Sequence, residues 1–145
     1  MDWKLSFTVL AAALAAACSP NKCSRPPGFY ISISGGTFSP LNLAAPPGAT
    51  VTVINDDPVP HSVTSQTTSG SFTPGAVSGV SFDTGAFIDD RSFTLPSSAP
   101  NTSLVYYYCS VHRDMMRTPN GSITIDTSAQ PGPPQGGGCR AGGGY

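Results

Sequence analysis

The stretch YYYCSVHRDMM, residues Tyr106–Met116, places a cysteine, a histidine and two methionines directly after an aromatic run. A second stretch, VINDDPVPHSV at Val53–Val63, leads from an apolar run into His61, the other of the two histidines in the chain. Valine and tyrosine favour extended structure, whereas Asp-Pro and neighbouring prolines favour turns. Each stretch is therefore predicted to be a strand that ends in a loop carrying side chains able to bind a soft metal ion.

The side chains of these loops form a specific donor set. His61, Cys109, His112 and Met115 supply two imidazoles, one thiolate and one thioether. Two His and one Cys in a trigonal plane, with a weakly bound Met sulfur on the axis, define the blue, or type 1, copper site. The sequence predicts one copper ion bound by these four residues. Met116 is an alternative axial ligand because it adjoins Met115.

Composition predicts an all-β domain. Only 10% of the 145 residues are charged, glutamate is missing, and the chain contains 16 Gly and 15 Pro. Such a chain is poor in helix formers and rich in turn formers, and its length suits one domain. The formal net charge of -1 gives no support for nucleic-acid binding.

Short β-forming runs recur between turn-forming segments. Regular spacing of such runs predicts a single Greek-key β-sandwich. The predicted strands are FYISIS, the run at Thr50–Asn55, HSVTSQ, VSFDTGAF, RSFTL, SLVYYYC and SITID.

The N-terminus has the features of an export signal. Lys4 precedes an apolar, alanine-rich run over 5–17, which is too short to span a bilayer. Small residues then lead to Cys18 in LAAAC, which resembles a bacterial lipobox, with Ala15 where Leu is usual. We expect export to the bacterial periplasm or cell envelope. Cys18 is a candidate lipid anchor and the one predicted membrane contact, the alternative being ordinary cleavage near Ala17.

The predicted domain bounds follow from these segments. A signal peptide covers 1–17, a short linker 18–26, the folded domain 27–127 and a Gly/Pro-rich disordered tail 128–145. Cys23 and Cys139 lie in the two flanking segments. They could form a disulfide after export or stay as free thiols, because sequence alone does not fix connectivity.

The motifs over 27–127 resemble the small blue-copper cupredoxins of the plastocyanin and amicyanin type. In that family a strand ends in Asn, a Pro-His pair follows, and an aromatic strand runs into Cys-x-x-His and a Met, as in Asn55, His61, Cys109, His112 and Met115 here. The departure is the glycine after the Met, which is delayed by about four residues to Gly121.

The resemblance also implies the contacts around the ligands. Asn55 would hydrogen-bond across to the Cys109 loop, with Ser110 as its partner. The backbone N–H of Ser62 would approach the Cys109 sulfur. Contacts of this kind orient the ligands of a metal and tune its potential.

These features together predict an electron carrier and not an enzyme. Copper oxidases and copper nitrite reductases need further His clusters, and both histidines of this chain are already assigned. We expect a monomer that transfers single electrons to redox proteins docking near His112. The alternatives are a copper-binding protein for storage, delivery or tolerance, and a structural sandwich without metal.

Overall fold

The structure is a computed structural model that describes residues 23–137. These residues form ten strands and one short 3-10 helix at Arg113–Met115. The strands are β1 (Cys23–Arg25), β2 (Phe29–Ser34), β3 (Thr37–Ser39), β4 (Asn42–Ala45), β5 (Thr50–Asn55), β6 (Thr64–Gln66), β7 (Arg91–Thr94), β8 (Leu104–Tyr108), β9 (Asn120–Ile125) and β10 (Gln135–Gly137). Within the described range, no helix has the length and apolar character needed to cross a membrane.

Two four-stranded sheets carry the fold. One has the order β3-β2-β5-β7 and the other β4-β9-β8-β6. The pairs β2–β5 and β4–β9 are parallel, and the remaining pairs within these sheets are antiparallel. The predicted all-β sandwich is therefore confirmed.

The core lies between the inner faces of the two sheets. Alternate residues of a strand point to opposite faces, so the apolar alternation read from the sequence becomes one buried face per sheet. Phe38 and Tyr107 meet edge to face with ring centroids 5.1 Å apart, and Phe82 stacks on Phe93 at 4.3 Å. Buried contributors from the paired strands include Ile31, Ile33, Val51, Val53, Val105, Tyr107, Ile123 and Ile125.

The segment VSFDTGAF, predicted to be a strand, is not one. It makes isolated bridges, His61 to Phe87 and Thr64 to Asp83 among them. The Asp83 carboxylate accepts hydrogen bonds from the Thr64 hydroxyl at 3.0 Å and from the Gly85 N–H at 2.9 Å. Gly85 has a φ of 63°. The side-chain bonds and the left-handed residue replace a continuous ladder, although the apolar pattern alone suits a strand.

Backbone pairing extends on both sides of the predicted 27–127 domain. β1 pairs antiparallel with β10, with Cys23 opposite Gly137, and Gly28 bridges to Gly132. The two ends of the described chain are thus adjacent. The signal peptide, Cys18 and Cys139 lie outside the described residues, so the lipid anchor and the Cys23–Cys139 disulfide stay predictions.

Candidate metal centre

The three predicted planar ligands come from two loops. Cys109 directly follows β8, and His112 directly precedes the 3-10 helix. The loop is tied to itself, since the Arg113 N–H donates to the Cys109 carbonyl at 2.7 Å. His61 lies between β5 and β6 and exchanges two backbone hydrogen bonds with Phe87, each 2.9 Å long. One ligand is therefore anchored by a backbone bridge and two by a tight loop.

The structure brings His61, Cys109 and His112 into one cluster. The Cys109 Sγ lies 3.7 Å from His61 Nδ1 and 3.6 Å from His112 Nδ1. One ligand atom from each residue lies within 4.8 Å of the other two. His61 is 2% exposed and Cys109 is fully buried, whereas His112 is partly exposed.

These separations fit a single metal ion. Metal–nitrogen and metal–sulfur bonds of about 2.0 and 2.3 Å, separated by 120°, put the two ligand atoms about 3.7 Å apart. Both sulfur–nitrogen distances in the cluster match that value. The donor set of two imidazoles and one thiolate suits copper. The predicted ligands therefore have the chemistry and the spacing of a trigonal site.

Ser62 connects the two loops. Its N–H donates to the Cys109 Sγ at 3.4 Å, the contact that the resemblance implied, and its Oγ lies 3.9 Å from the same sulfur. The same hydroxyl accepts a hydrogen bond from the Ser110 N–H at 2.6 Å and lies 2.8 Å from the Ser110 Oγ. Ser62 thus binds the cysteine loop through both its backbone and its side chain.

The prediction that Asn55 forms a hydrogen bond with Ser110 is wrong. The Asn55 Nδ2 donates to the carbonyls of Val59 at 3.0 Å and Phe87 at 3.2 Å, and its Oδ1 accepts from the Asp57 N–H at 3.0 Å. Asn55 therefore shapes the loop that carries His61, and Ser110 is bound by Ser62 instead.

Asp57 is a site residue that sequence reasoning missed, because an Asp before Pro was interpreted as a turn former. Its Oδ2 lies 3.0 Å from His61 Nε2. Its carboxylate also accepts hydrogen bonds from the N–H groups of Gly35 at 2.6 Å and Gly36 at 2.9 Å. The signal available in the sequence was its position four residues before His61.

The pKa values of this pair follow from these contacts. Burial opposes ionisation of Asp57, but hydrogen bonds from Gly36, Gly35 and His61 outweigh it and hold the pKa below its usual value. For His61, burial lowers the pKa and the charge of His112 adds to that effect, against the opposing hydrogen bond to Asp57. A neutral His61 that donates Nε2–H to Asp57 leaves the Nδ1 lone pair facing the cluster.

The two methionines point in different directions. Met115 ends the 3-10 helix and is 75% exposed, whereas Met116 is 5% exposed and belongs to the hydrophobic core. Met116 follows the helical turn with extended backbone, at a φ of -64° and a ψ of 143°. A side-chain carbon placed on Gly36 would lie 4.0 Å from Met116 Sδ, beside the turn that binds Asp57. Met116, the alternative ligand, is therefore the buried methionine of the pair, and Met115 is the exposed one.

Comparison with known proteins agrees with this fold. No protein-family profile and no curated protein matches the chain. Among solved structures, the purple cupredoxin from Nitrosopumilus maritimus is 28% identical, with a TM-score of 0.52, over 68% of this chain and 99% of that one.

Two further structures are less similar. A reduced Cu(I) form of an amicyanin mutant is 18% identical over 68% of this chain and 82% of that one, with a TM-score of 0.48. A copper-containing nitrite reductase from Thermus scotoductus is 18% identical, with a TM-score of 0.48, over 70% of this chain but 23% of that one. The His61–Cys109–His112 cluster is compatible with a blue copper site. Together with the match to the purple cupredoxin, it confirms the predicted resemblance to the small cupredoxins.

Proposed function

We propose that this protein is an exported blue copper protein that carries single electrons between redox partners. The observation that carries the proposal is the convergence of His61, Cys109 and His112 at the spacing of a trigonal metal site. Copper bound there would supply a one-electron Cu(II)/Cu(I) couple. Met116, which is buried while its neighbour Met115 is exposed, would supply the fourth ligand in place of Met115.

The role of the protein in this mechanism is to keep the ligand arrangement fixed. Electron transfer is fast when the site changes little between oxidation states, and a preformed ligand arrangement limits that change. Ser62 fixes the cysteine loop against the His61 loop through three hydrogen bonds to Cys109 and Ser110. Burial of His61 and Cys109 keeps water away from two of the three planar donors.

Electrons would enter and leave at His112. It is the partly exposed member of the cluster, and its neighbour Val111 is 39% exposed. The exposed Met115 follows in the same loop. Exposed apolar side chains next to a partly exposed ligand suit brief docking of a redox protein, since weak electron-transfer complexes bury little area. We propose that partners dock here and that the protein acts as a monomer.

The test is the visible spectrum of the purified mature protein after addition of one equivalent of Cu(II). We expect an intense band from thiolate-to-copper charge transfer, which disappears on reduction and is lost in Cys109→Ser. Val111→Ala is the matched control, because it alters an exposed side chain of the same loop without removing the thiolate. A colourless complex that still binds copper would refute the electron-transfer proposal and favour copper storage or delivery.

A further inference from the structure

We infer that Asp57 is a positioning residue for the metal centre, acting through His61. Its carboxylate holds the imidazole as the Nε2–H tautomer, directs the Nδ1 lone pair at the cluster and strengthens that nitrogen as a donor to Cu(II). The inference rests on the proposed copper-binding function and assigns a role to a residue outside the ligand set.

The hydrogen bond between Asp57 and His61 decides which imidazole nitrogen carries the proton. A neutral imidazole has one N–H, and an ionised carboxylate can only accept. The 3.0 Å contact between Asp57 Oδ2 and His61 Nε2 therefore places the proton on Nε2. The other nitrogen, Nδ1, lies 3.7 Å from the Cys109 Sγ with its lone pair available. A carboxylate hydrogen-bonded to a metal-binding histidine fixes its tautomer and raises its basicity.

Two backbone N–H groups hold the Asp57 carboxylate in place. The Gly35 N–H donates to Oδ1 at 2.6 Å, and the Gly36 N–H donates to Oδ2 at 2.9 Å. Both glycines have left-handed backbone, with φ of 57° and 68°, and successive residues of this kind turn their N–H groups toward one anion. The Asp57 N–H is bound by Asn55 Oδ1. The turn between β2 and β3 is thus a part of the metal site.

The side chains of Asp57 and His61 are both largely shielded from water. The His61 side chain is 2% exposed and the Asp57 side chain 13% exposed, so water screens their interaction weakly. A negative charge next to a ligand stabilises Cu(II) more than Cu(I), because Cu(II) has the higher charge. Asp57 should therefore lower the reduction potential of the centre.

The experiment compares Asp57→Asn with Asp56→Asn in the mature protein. Asp56 is exposed and adjoins Asp57, so its substitution removes the same charge without touching His61. We expect Asp57→Asn to weaken Cu(II) binding about 10- to 100-fold, to weaken Cu(I) binding less and so to raise the potential. Asp56→Asn should change each quantity much less. Equal changes in the two variants would show a general charge effect and would overturn the inference.

A second measurement needs no copper. The imidazole nitrogen NMR shifts of the metal-free protein should show His61 protonated at Nε2 and unprotonated at Nδ1, with partial loss of this preference in Asp57→Asn. A His61 protonated at Nδ1 in the wild-type protein would refute the inference. This readout also separates two failures: a correct tautomer in a protein that forms no blue copper complex would reject the proposed function and leave the positioning role of Asp57 intact.

Discussion

Substitution of Gly121 by alanine should destabilise the domain, because β9 packs against a buried tyrosine at this point. Gly121 is opposite Tyr107 in the β8–β9 ladder. A Cβ built on Gly121 would lie 2.2 Å from Tyr107 Cζ and 2.3 Å from its Oη. Non-bonded carbons pack at about 3.5–4.0 Å, so the ring would have to move by more than about 1 Å. Tyr107 is fully buried against Phe38, which leaves it little room to do so.

The expected cost is an overpacking term of about 3 kcal/mol, at the upper end of the usual range because a rigid ring meets the new carbon. That is a large part of a stability of about 5–15 kcal/mol. Urea unfolding of the metal-free protein measures it as a lower midpoint with an unchanged slope. Gly136→Ala is the control, since a Cβ there has no neighbour within 4 Å.

A double-mutant cycle with Tyr107→Ala isolates the contact. Adding Gly121→Ala to Tyr107→Ala should cost much less than adding it to the wild-type protein, because the conflicting ring is gone. A wild-type midpoint in Gly121→Ala, or the same cost in both backgrounds, would show that Tyr107 does not pack over Gly121.

Three further expectations concern the axial ligand, alkaline stability and the N-terminus. Met116→Leu should raise the copper reduction potential, because a donor that favours Cu(II) is lost, while the exposed Met115→Leu should change it little; the reverse result in voltammetry would assign Met115. Burial raises the pKa of Tyr107, so the unfolded chain releases this proton first and the free energy of unfolding should fall above about pH 10. Urea unfolding should show a smaller fall in Tyr107→Phe, and an identical fall would contradict burial as the cause. In cells making the full chain, the protein should partition into detergent and Cys18→Ala should abolish this; unmodified wild-type protein in the soluble fraction would exclude the lipid anchor.

The ligands could be predicted because their chemistry is specific. Few residue types bind soft metals, so the donor chemistry of Cys109 and the two histidines, together with their spacing, predicted one site. The strands beside them could be predicted for a similar reason, since alternation of apolar residues directly reflects which face is buried. The structure brings the three residues together as these patterns indicate.

The contacts around the ligands depend on loop geometry, which short-range patterns do not encode. Gly35 and Asp57 are separated by 22 positions, and their hydrogen bond depends on where two turns meet. The choice between Met115 and Met116 depends on a helical turn that contains Arg113 at a φ of 45°. A small change in loop conformation decides which of two adjacent side chains is buried and which is exposed. Spacing alone could therefore not decide between the two methionines.

The hydrogen bonds around the cluster show which ligands the protein itself holds in place. Asp57 and the backbone of Phe87 hold His61, and Ser62, the next residue, binds Cys109 and Ser110 directly. These bonds join the two loops directly, so the protein itself sets the relative position of His61 and Cys109. His112 is the partly exposed member and is held mainly by its short loop. Any ligand movement that accompanies a change of copper oxidation state should therefore occur at His112, on the surface where a redox partner would dock.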